Sequence, residues 1–592
     1  MILDAMFKLA VIIAFSTTAA LAQIDLSGEW AGTFHEDLPH RGPVQLGDYT
    51  GLPLNEAGWR KAQSWDEAAR STDERQCIPH VVTYALRGPA TIRFIKMIDP
   101  VTGELSGYAF HGSYGRPRTI WMDGRKHPSD LAPHTWAGFS TGHWERNTLV
   151  VETTHIKTGW LLRNGAPTSD LATMREYFTR YGEYLVVATI INDPIYLDEP
   201  VIRTTNFVLN PYANANVWGH CGPQQITDEL GGRAKGSVPH YLPGQTDHIK
   251  EFTTKNNVPV EAARGGAATL YPEYKAKLDA KTGLDNRLFP PPTPGKSFPR
   301  LAPVEKTGEI QVLPVQGNVY VLAGAGGNIV FQIGDDGVLL VDTGNGKETD
   351  KVQAAIRKLS TKPIRLIFNT QADLDHMGGN EVLAASGNSG GGGRASDGPT
   401  MVLAHEAVLS AVSAPSGKQS AMPTGAWPTE SYQDTKEASM NGETIKLYHA
   451  PAAHTDGDTL VYFRHSDVIA AGDVFSTFTY PVIGKGGSIN GVIAALNEII
   501  DIAIPLDWQE GGTMVVPGHG RICDEADVVE YRDMVTIIRD RIQDLVKKGM
   551  TLDQVMAARP TLEYDPRYGS DTGPWTTAMF IEAVYKNLAV KK

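Results

Sequence analysis

Cysteine is scarce: three thiols in 592 residues exclude a small scaffold held together by a dense disulfide network. Long apolar runs are missing too. Beyond residue 22 no stretch approaches the ~20 apolar residues of a membrane-spanning helix. Charge is sparse, at 20% of residues, and positive charge is short in the C-terminal half. Residues 307–592 carry 23 Lys and Arg against 35 Asp and Glu, whereas residues 23–306 carry 30 against 31. The C-terminal half therefore holds −12 of the net −13, a field that repels phosphate backbones and anionic lipid headgroups. No nucleic-acid partner is expected. Local excess acidity suits a cation instead.

What is present is ordinary globular material, 41% hydrophobic, with 60 Gly and 37 Pro. That composition favours turn-rich β or α/β architecture over helical bundles, and the length suits two to four domains. Residues 1–22 read as an export signal: Lys8, an apolar run from Leu9 to Phe15, and Ala20-Leu21-Ala22 before Gln23. The expected mature chain is periplasmic or secreted, with no membrane insertion after cleavage. Cys77 and Cys221 share the N-terminal half and are the pair expected to bridge, leaving Cys523 as a buried small hydrophobe.

Six prolines in the fourteen residues 290–303 (PPPTPGKSFPRLAP) can continue neither a helix nor a central strand, which places the domain boundary there. The expected division is a signal peptide at 1–22, a β-rich accessory domain at 23–232, an irregular and Pro-rich linker at 233–306, and an α/β domain at 307–592. In the first domain, TIRFIKMI, NTLVVETT and YLVVATII are strand-like runs between turn signals, as in an antiparallel barrel or sandwich. His127, His134, His143 and His155 show no metal-ligand pairing and read as scattered surface or turn histidines. Trp136, Trp144 and Trp160 read as core, with a ligand pocket as the alternative. With IDLSGEW and CIPH, the stretch WMDGRKHPSDLAPHTWAGFSTGHWERNTLVVET resembles a β-rich domain of unassigned function in exported bacterial proteins.

From Glu309 the texture changes to strands alternating with helices: NVYVL, NIVFQI, VLLVDTG, a helical pattern over Lys347–Leu359, then IRLIFN. After IRLIFN the chain reads TQADLDHMGGN, which would set Gln371, Asp373 and Asp375 on one side of an extended segment, with His376 at the turn to the next helix. His454, Asp473 and His519 each follow a later strand, where a rigid scaffold displays chemistry. Phe475, Phe478 and Tyr480 could wall a substrate pocket or be core. His405 reads as structural. The glycine run at 386–393 lacks the Lys-Ser or Lys-Thr of a phosphate loop and reads as a surface insertion.

In succession, VDTG, DHMGGN, AHTDGDTLVYF, AAGDVF and VPGHG resemble the metallo-β-lactamase fold superfamily over about residues 307–592. The resemblance implies an αβ/βα sandwich with a metal site at one edge of its two sheets. It also implies that Asp375, His376 and His519 bind one metal, Asp473 bridges, His454 serves the other metal, and Asp342 supports a ligand from behind. The family's HxHxDH would put histidines at 371 and 373, where this chain has Gln371 and Asp373. Three consequences stay open: oxygen ligation by both beside His454, a single-metal site, or loss of metal. The implied activity is an exported metal-dependent hydrolase, with Asp375 as the catalytic acid. Its metal-activated water would attack an ester, lactone, thioester, amide or phosphoester of a small-molecule substrate. The expected cofactor is zinc, one or two ions, with iron or manganese as alternatives. The competing classes are a di-iron-type oxidoreductase of the same fold and a non-catalytic binding or scaffold protein.

Overall fold

The computed structural model describes residues 24–33, 45–75, 78–85, 91–112, 115–213, 236–293, 300–301, 306–387, 399–413, 421–506 and 512–589. The expected signal peptide, the Cys77–Cys221 pair and nearly all of the glycine run lie outside the described residues. None of the described helices is long and apolar enough to cross a membrane.

Nine strands of the N-terminal half close into a barrel, sealed by Gly28–Gly32 pairing with both Thr91–Ile98 and Val201–Leu209. All its pairs are antiparallel except Arg118–Trp121 with Phe139–Glu145. Alternating side chains fill it: Ile92 and Phe94, Tyr108 and Phe110, Leu149 and Val151, Leu185 and Val187 point inward. Arg118 and Glu176 also lie buried, joined at 2.6 and 2.8 Å, which compensates both charges. Of the four histidines read as superficial, His143 is exposed, but two are not. His134 and His155 are both buried, with backbone carbonyls of Ile156 and Ser129 satisfying one nitrogen of each. Trp136 is core, as expected.

Residues 236–293 include three short helices, Asp247–Asn256, Val260–Ala263 and Pro272–Ala280, and the segment is tied to the N-terminal half by backbone hydrogen bonds from Tyr49 to Ala263 and from Tyr241 to Ser64 at the end of helix α1 (Glu56–Ser64). The C-terminal half then builds two sheets in chain order. Seven strands run from Gln311–Gln316 to Glu430–Tyr432, and six from Thr435–Met440 to Cys523–Asp524. Strands such as Val338–Val341 are apolar throughout because both faces are covered. Leu339 and Val341 face the second sheet in the core shared by Val321, Leu447 and Val461. Val338 and Leu340 face outward onto Val352 and Ile356 of Thr349–Arg357. On the outside of the second sheet lie helices α2 (Ile489–Ile502) and α3 (Glu525–Lys547), with the short α4 (Leu552–Ala558) following. This is the expected αβ/βα sandwich, and it brings the loops after several strands to one sheet edge.

Barrel and sandwich meet through buried ion pairs. Lys157 donates to Asp524 and Asp527, both at 2.7 Å, and Asp170 accepts from Arg567 and Arg521. Arg75 reaches Asp533 at 2.6 Å and Glu530 at 2.8 Å.

Candidate metal centre

The strand Val338–Val341 ends at Asp342, whose φ of +65° is left-handed and unusual for a non-glycine residue. Its side chain holds it there. Asp342 accepts from Thr370 N at 2.8 Å and Thr370 Oγ1 at 2.6 Å, and its Oδ2 lies 2.7 Å from His376 Nδ1. With Nδ1 turned to that carboxylate, His376 Nε2 faces Asp473 Oδ1 at 3.3 Å.

The chain after Ile364–Phe368 does not stay extended through residue 375. It turns into a single helical turn, Leu374–Met377, which corrects the one-sided placement of 371, 373 and 375. Gln371 lies fully buried and donates from Nε2 to Asp473 Oδ2 at 2.7 Å. Asp373 starts the turn without capping it, so its carboxylate is free to meet His454 Nε2 at 3.0 Å. Asp375, one residue into the turn, faces His519 Nε2 at 3.3 Å. His454 is aimed in the same manner as His376: its Nδ1 is held by the Val482 carbonyl at 2.8 Å, leaving Nε2 for the site.

Asp473 follows the strand Val468–Ala470 and sits between the two clusters, with Oδ1 3.3 Å from His376 and 3.5 Å from His519. The close approach demands glycine at 518, where a Cβ would stand 2.1 Å from Asp473 Oδ1. Two sets of possible ligands result, Asp375 with His376 and His519, and Asp373 with His454 and Asp473. Asp342, Gln371, Asp373, Asp375, His376, His454, Asp473 and His519 are thus brought together. The side chains of Asp373 and Asp375 are 50% and 42% exposed while His376 is sealed, so the site opens to solvent on its carboxylate side.

Three atoms test whether the residues fit a metal. Gln371 Oε1, His376 Nε2 and Asp473 Oδ1 are buried and make no well-directed hydrogen bond, the last two standing 3.3 Å apart as a charged pair, so donor capacity is left over for a further partner. All three belong to one cluster of oxygen and imidazole donors, the chemistry of a divalent cation. The residues fit. Without a cation the imidazoles carry the compensating charge. Burial opposes protonation of His376, but Asp473 and Asp342 outweigh it and raise its pKa well above the usual value. His454 is raised to about 9 because Asp373 and Asp473 overcome burial. Burial likewise opposes ionisation of Asp473, yet His376 and His519 hold its pKa well below the carboxylate range.

Three supports escaped the sequence reading: Thr370, the Val482 carbonyl, and Asp458, which accepts from Thr455 N at 2.7 Å beside His454. Asp458 was visible as the second Asp of HTDGD, whereas Thr370 and Val482 carry no motif signal. Phe475 and Tyr480 are core, Tyr480 stacking on Phe580 at 4.7 Å. His405 caps the helix Glu406–Val412 and stacks on His449 at 3.7 Å. Cys523 is buried, and burial pushes its thiol pKa up.

Residues 312–519 match the family model of the metallo-beta-lactamase superfamily. A linear primary-alkylsulfatase of Pseudomonas sp. (strain ATCC 19151) is 22% identical over 265 residues, covering 37% of this chain and 47% of the relative. The chain thus spans about half the length of that relative. Among solved structures, a stereoselective inverting sec-alkylsulfatase from Pseudomonas sp. aligns at 16% identity with a TM-score of 0.34, over 47% of this chain and 50% of that one. A metallo-beta-lactamase from Pontibacter korlensis aligns at 16% identity with a TM-score of 0.30, over 38% of this chain and 98% of its own. Residues 312–519, which contain every side chain of the centre, therefore form a metallo-beta-lactamase superfamily domain.

Proposed function

We propose that the protein is a metal-dependent hydrolase of ester-type small molecules. The observation that carries this reading is the convergence of three buried donor atoms without a well-directed hydrogen bond, Gln371 Oε1, His376 Nε2 and Asp473 Oδ1, beneath an open face of carboxylates. His376, His519 and Asp375 would hold one cation and His454 and Asp373 a second, with Asp473 between them. A cation held there supplies Lewis acidity, making water acidic enough to lose a proton near neutrality and polarising a substrate oxygen.

The side chains do the rest. Asp375 Oδ2 stands at the solvent-open side, where it orients an incoming water and accepts its proton. His519 beside it steadies the charged carboxylate. Asp342 and the Val482 carbonyl hold the imidazoles of His376 and His454 in fixed tautomers. Esters, lactones, thioesters, amides and phosphoesters fit this chemistry, and sulfate esters join them because the Pseudomonas relative is named an alkylsulfatase. Zinc is the favoured ion at the His376–His519 position. The oxygen-rich Asp373–Asp473 side favours a harder ion such as manganese or iron, the observation that keeps a di-iron-type oxidoreductase as a second reading.

Element-specific metal quantification of the full chain, with assays on p-nitrophenyl acetate, phosphate and sulfate, tests the proposal. Stoichiometric zinc or manganese with chelator-sensitive turnover of one ester is expected. Redox-active iron without hydrolysis favours the second reading, and absence of stoichiometric metal rejects both. We further propose export, with a mature chain beginning near Gln23 and Cys77 bridged to Cys221. Intact mass and thiol labelling of periplasmically expressed protein check this, and three free thiols would refute the bridge.

A further inference from the structure

One carboxylate of the barrel half is tied to both sides of the His519 loop. Asp170 follows the short strand Pro167–Thr168 and is 6% exposed. Arg567, in the helical turn Asp565–Tyr568, grips it with two nitrogens of its fork, Nε to Oδ1 at 2.7 Å and Nη2 to Oδ2 at 2.8 Å. Arg521 Nη2 adds a longer contact to Oδ2 at 3.4 Å. Burial opposes ionisation of Asp170, but Arg567 and Arg521 hold its pKa well below the usual carboxylate range.

Both arginines continue to the metal ligand. Arg521 stands two residues beyond His519, and its backbone N donates to Thr477 Oγ1 at 3.1 Å. Arg567 Nη1 donates to the Thr477 carbonyl at 2.6 Å, and Thr477 N donates in turn to the His519 carbonyl at 3.0 Å. The two segments have no slack between them, since a Cβ at Gly520 would stand 1.8 Å from Thr477 Oγ1. A second tie from the barrel half reaches the same loop, where Ile522 N donates to the Leu131 carbonyl at 3.0 Å. None of these contacts involves the turn Leu374–Met377 or residues 452–456, which carry the other two imidazoles.

A metal ligand is only as firmly placed as the groups behind it, and a buried bidentate ion pair is a firm anchor. We propose that Asp170 is a positioning residue: through Arg567 and Arg521 the barrel half locks the His519 loop in the register that completes the Asp375–His376–His519 metal position. The barrel is then a working part of the centre and not a separate module. This role rests on the metal-centre reading above.

Replacing both partners of the ion pair, Asp170→Leu with Arg567→Met, leaves neither charge buried alone and should cost little in melting temperature. Zinc titration of that full-chain variant should show the tighter step weakened about tenfold and the second step unchanged. In the metal-free protein, hydrogen exchange should quicken about tenfold at residues 477 and 519–522 while the amides of Thr370 and His376 keep their protection. Asp170→Asn alone should repeat both effects. Arg75→Met is the control. It breaks the ion pairs to Glu530 and Asp533 but touches neither Arg521 nor Arg567, so it should lower the melting temperature without moving either zinc step. An unchanged tight step, or unchanged exchange at 519–522, in the paired variant would overturn the role. So would an equal weakening in Arg75→Met, which would make the effect one of stability alone. If the unaltered protein binds no zinc, the metal-centre reading falls, and exchange at 519–522 still decides whether Asp170 holds the loop.

Discussion

Asp342 shows how a single side chain can serve both backbone and site. Its left-handed backbone is tolerated because Thr370 and His376 hold its carboxylate with three contacts, and those contacts aim His376 Nε2. Asp342→Asn keeps the size but removes the charge that fixes the imidazole tautomer. Metal affinity should fall about 10–100-fold, read by zinc titration of the apoprotein. The two metal positions should also differ. His376 and His519 give one position two imidazoles, whereas the other combines His454 with carboxylates and has Gln371 where the resembled HxHxDH pattern would put histidine. Zinc should therefore bind in two steps of unequal affinity. His376→Ala should remove the tighter step and Gln371→Ala should mainly weaken the second. Two equally tight steps in the unaltered protein would show that the ligands are divided otherwise.

Among the elements, α2 packs closely against the loop that delivers His454. Ser488 caps it by accepting from Gly491 N at 3.0 Å, and the Ser488 hydroxyl also donates to the Ala452 carbonyl at 3.1 Å. A Cβ at Gly491 would stand 1.7 Å from that carbonyl oxygen, inside the loop that delivers His454. In an exposed helix Gly→Ala stabilises by about 1 kcal/mol. Here the sign should reverse. Gly491→Ala should lower the melting temperature and selectively weaken the second metal step, because the Ala452–His454 loop must move while His376 and His519 stay in place. An unchanged second step would mean that the loop yields without carrying His454 along.

Across the whole molecule, the barrel is bound to the sandwich by charge that neither half can satisfy alone. Lys157 serves two buried carboxylates of the α3 capping box, Asp524 and Asp527. Lys157→Met would leave Asp524 without its cation and Asp527 with Arg521 alone, a loss of about 3–5 kcal/mol that urea unfolding should register. The same contacts bear on the proline connector. It reads as a boundary between independently folding units, but a fragment of residues 307–592 would expose Asp524, Asp527 and Arg521 without Lys157 and Asp170. The fragment should therefore be less stable than the full chain. Glu525 adds a pH signature. Burial, followed by Asp524 and Glu74, raises its pKa to about 8. The folded state then holds a proton that the unfolded chain releases near pH 4.5, so stability falls as pH rises from about 4.5 through 8. Glu525→Gln should match the unaltered protein near pH 4.5 and exceed it at pH 8 by about 2 kcal/mol or more, as thermal melts at the two pH values would show.

The strand-and-helix order of the C-terminal half and the β character of the N-terminal half were legible in the chain, and the candidate ligands stood in motifs that a family resemblance singled out; closure into a barrel was not legible. What was legible rests on local pattern: apolar runs of strand length, alternation, and short motifs following strands. Asp373 and Asp375 were visible as carboxylates, but their different partners were not. One helical turn at Leu374–Met377 rotates them apart, and its effect depends on where His454 and His519 arrive from distant strands. The support from Thr370 and Val482 and the ion pairs between barrel and sandwich leave no periodic trace. Each joins residues from separate parts of the chain through contacts that exist only once the layers have packed. Sequence by itself determined which layers would form and which residues could bind a cation; tertiary structure decided which atoms face one another, because burial and hydrogen-bond direction are properties of the assembled fold.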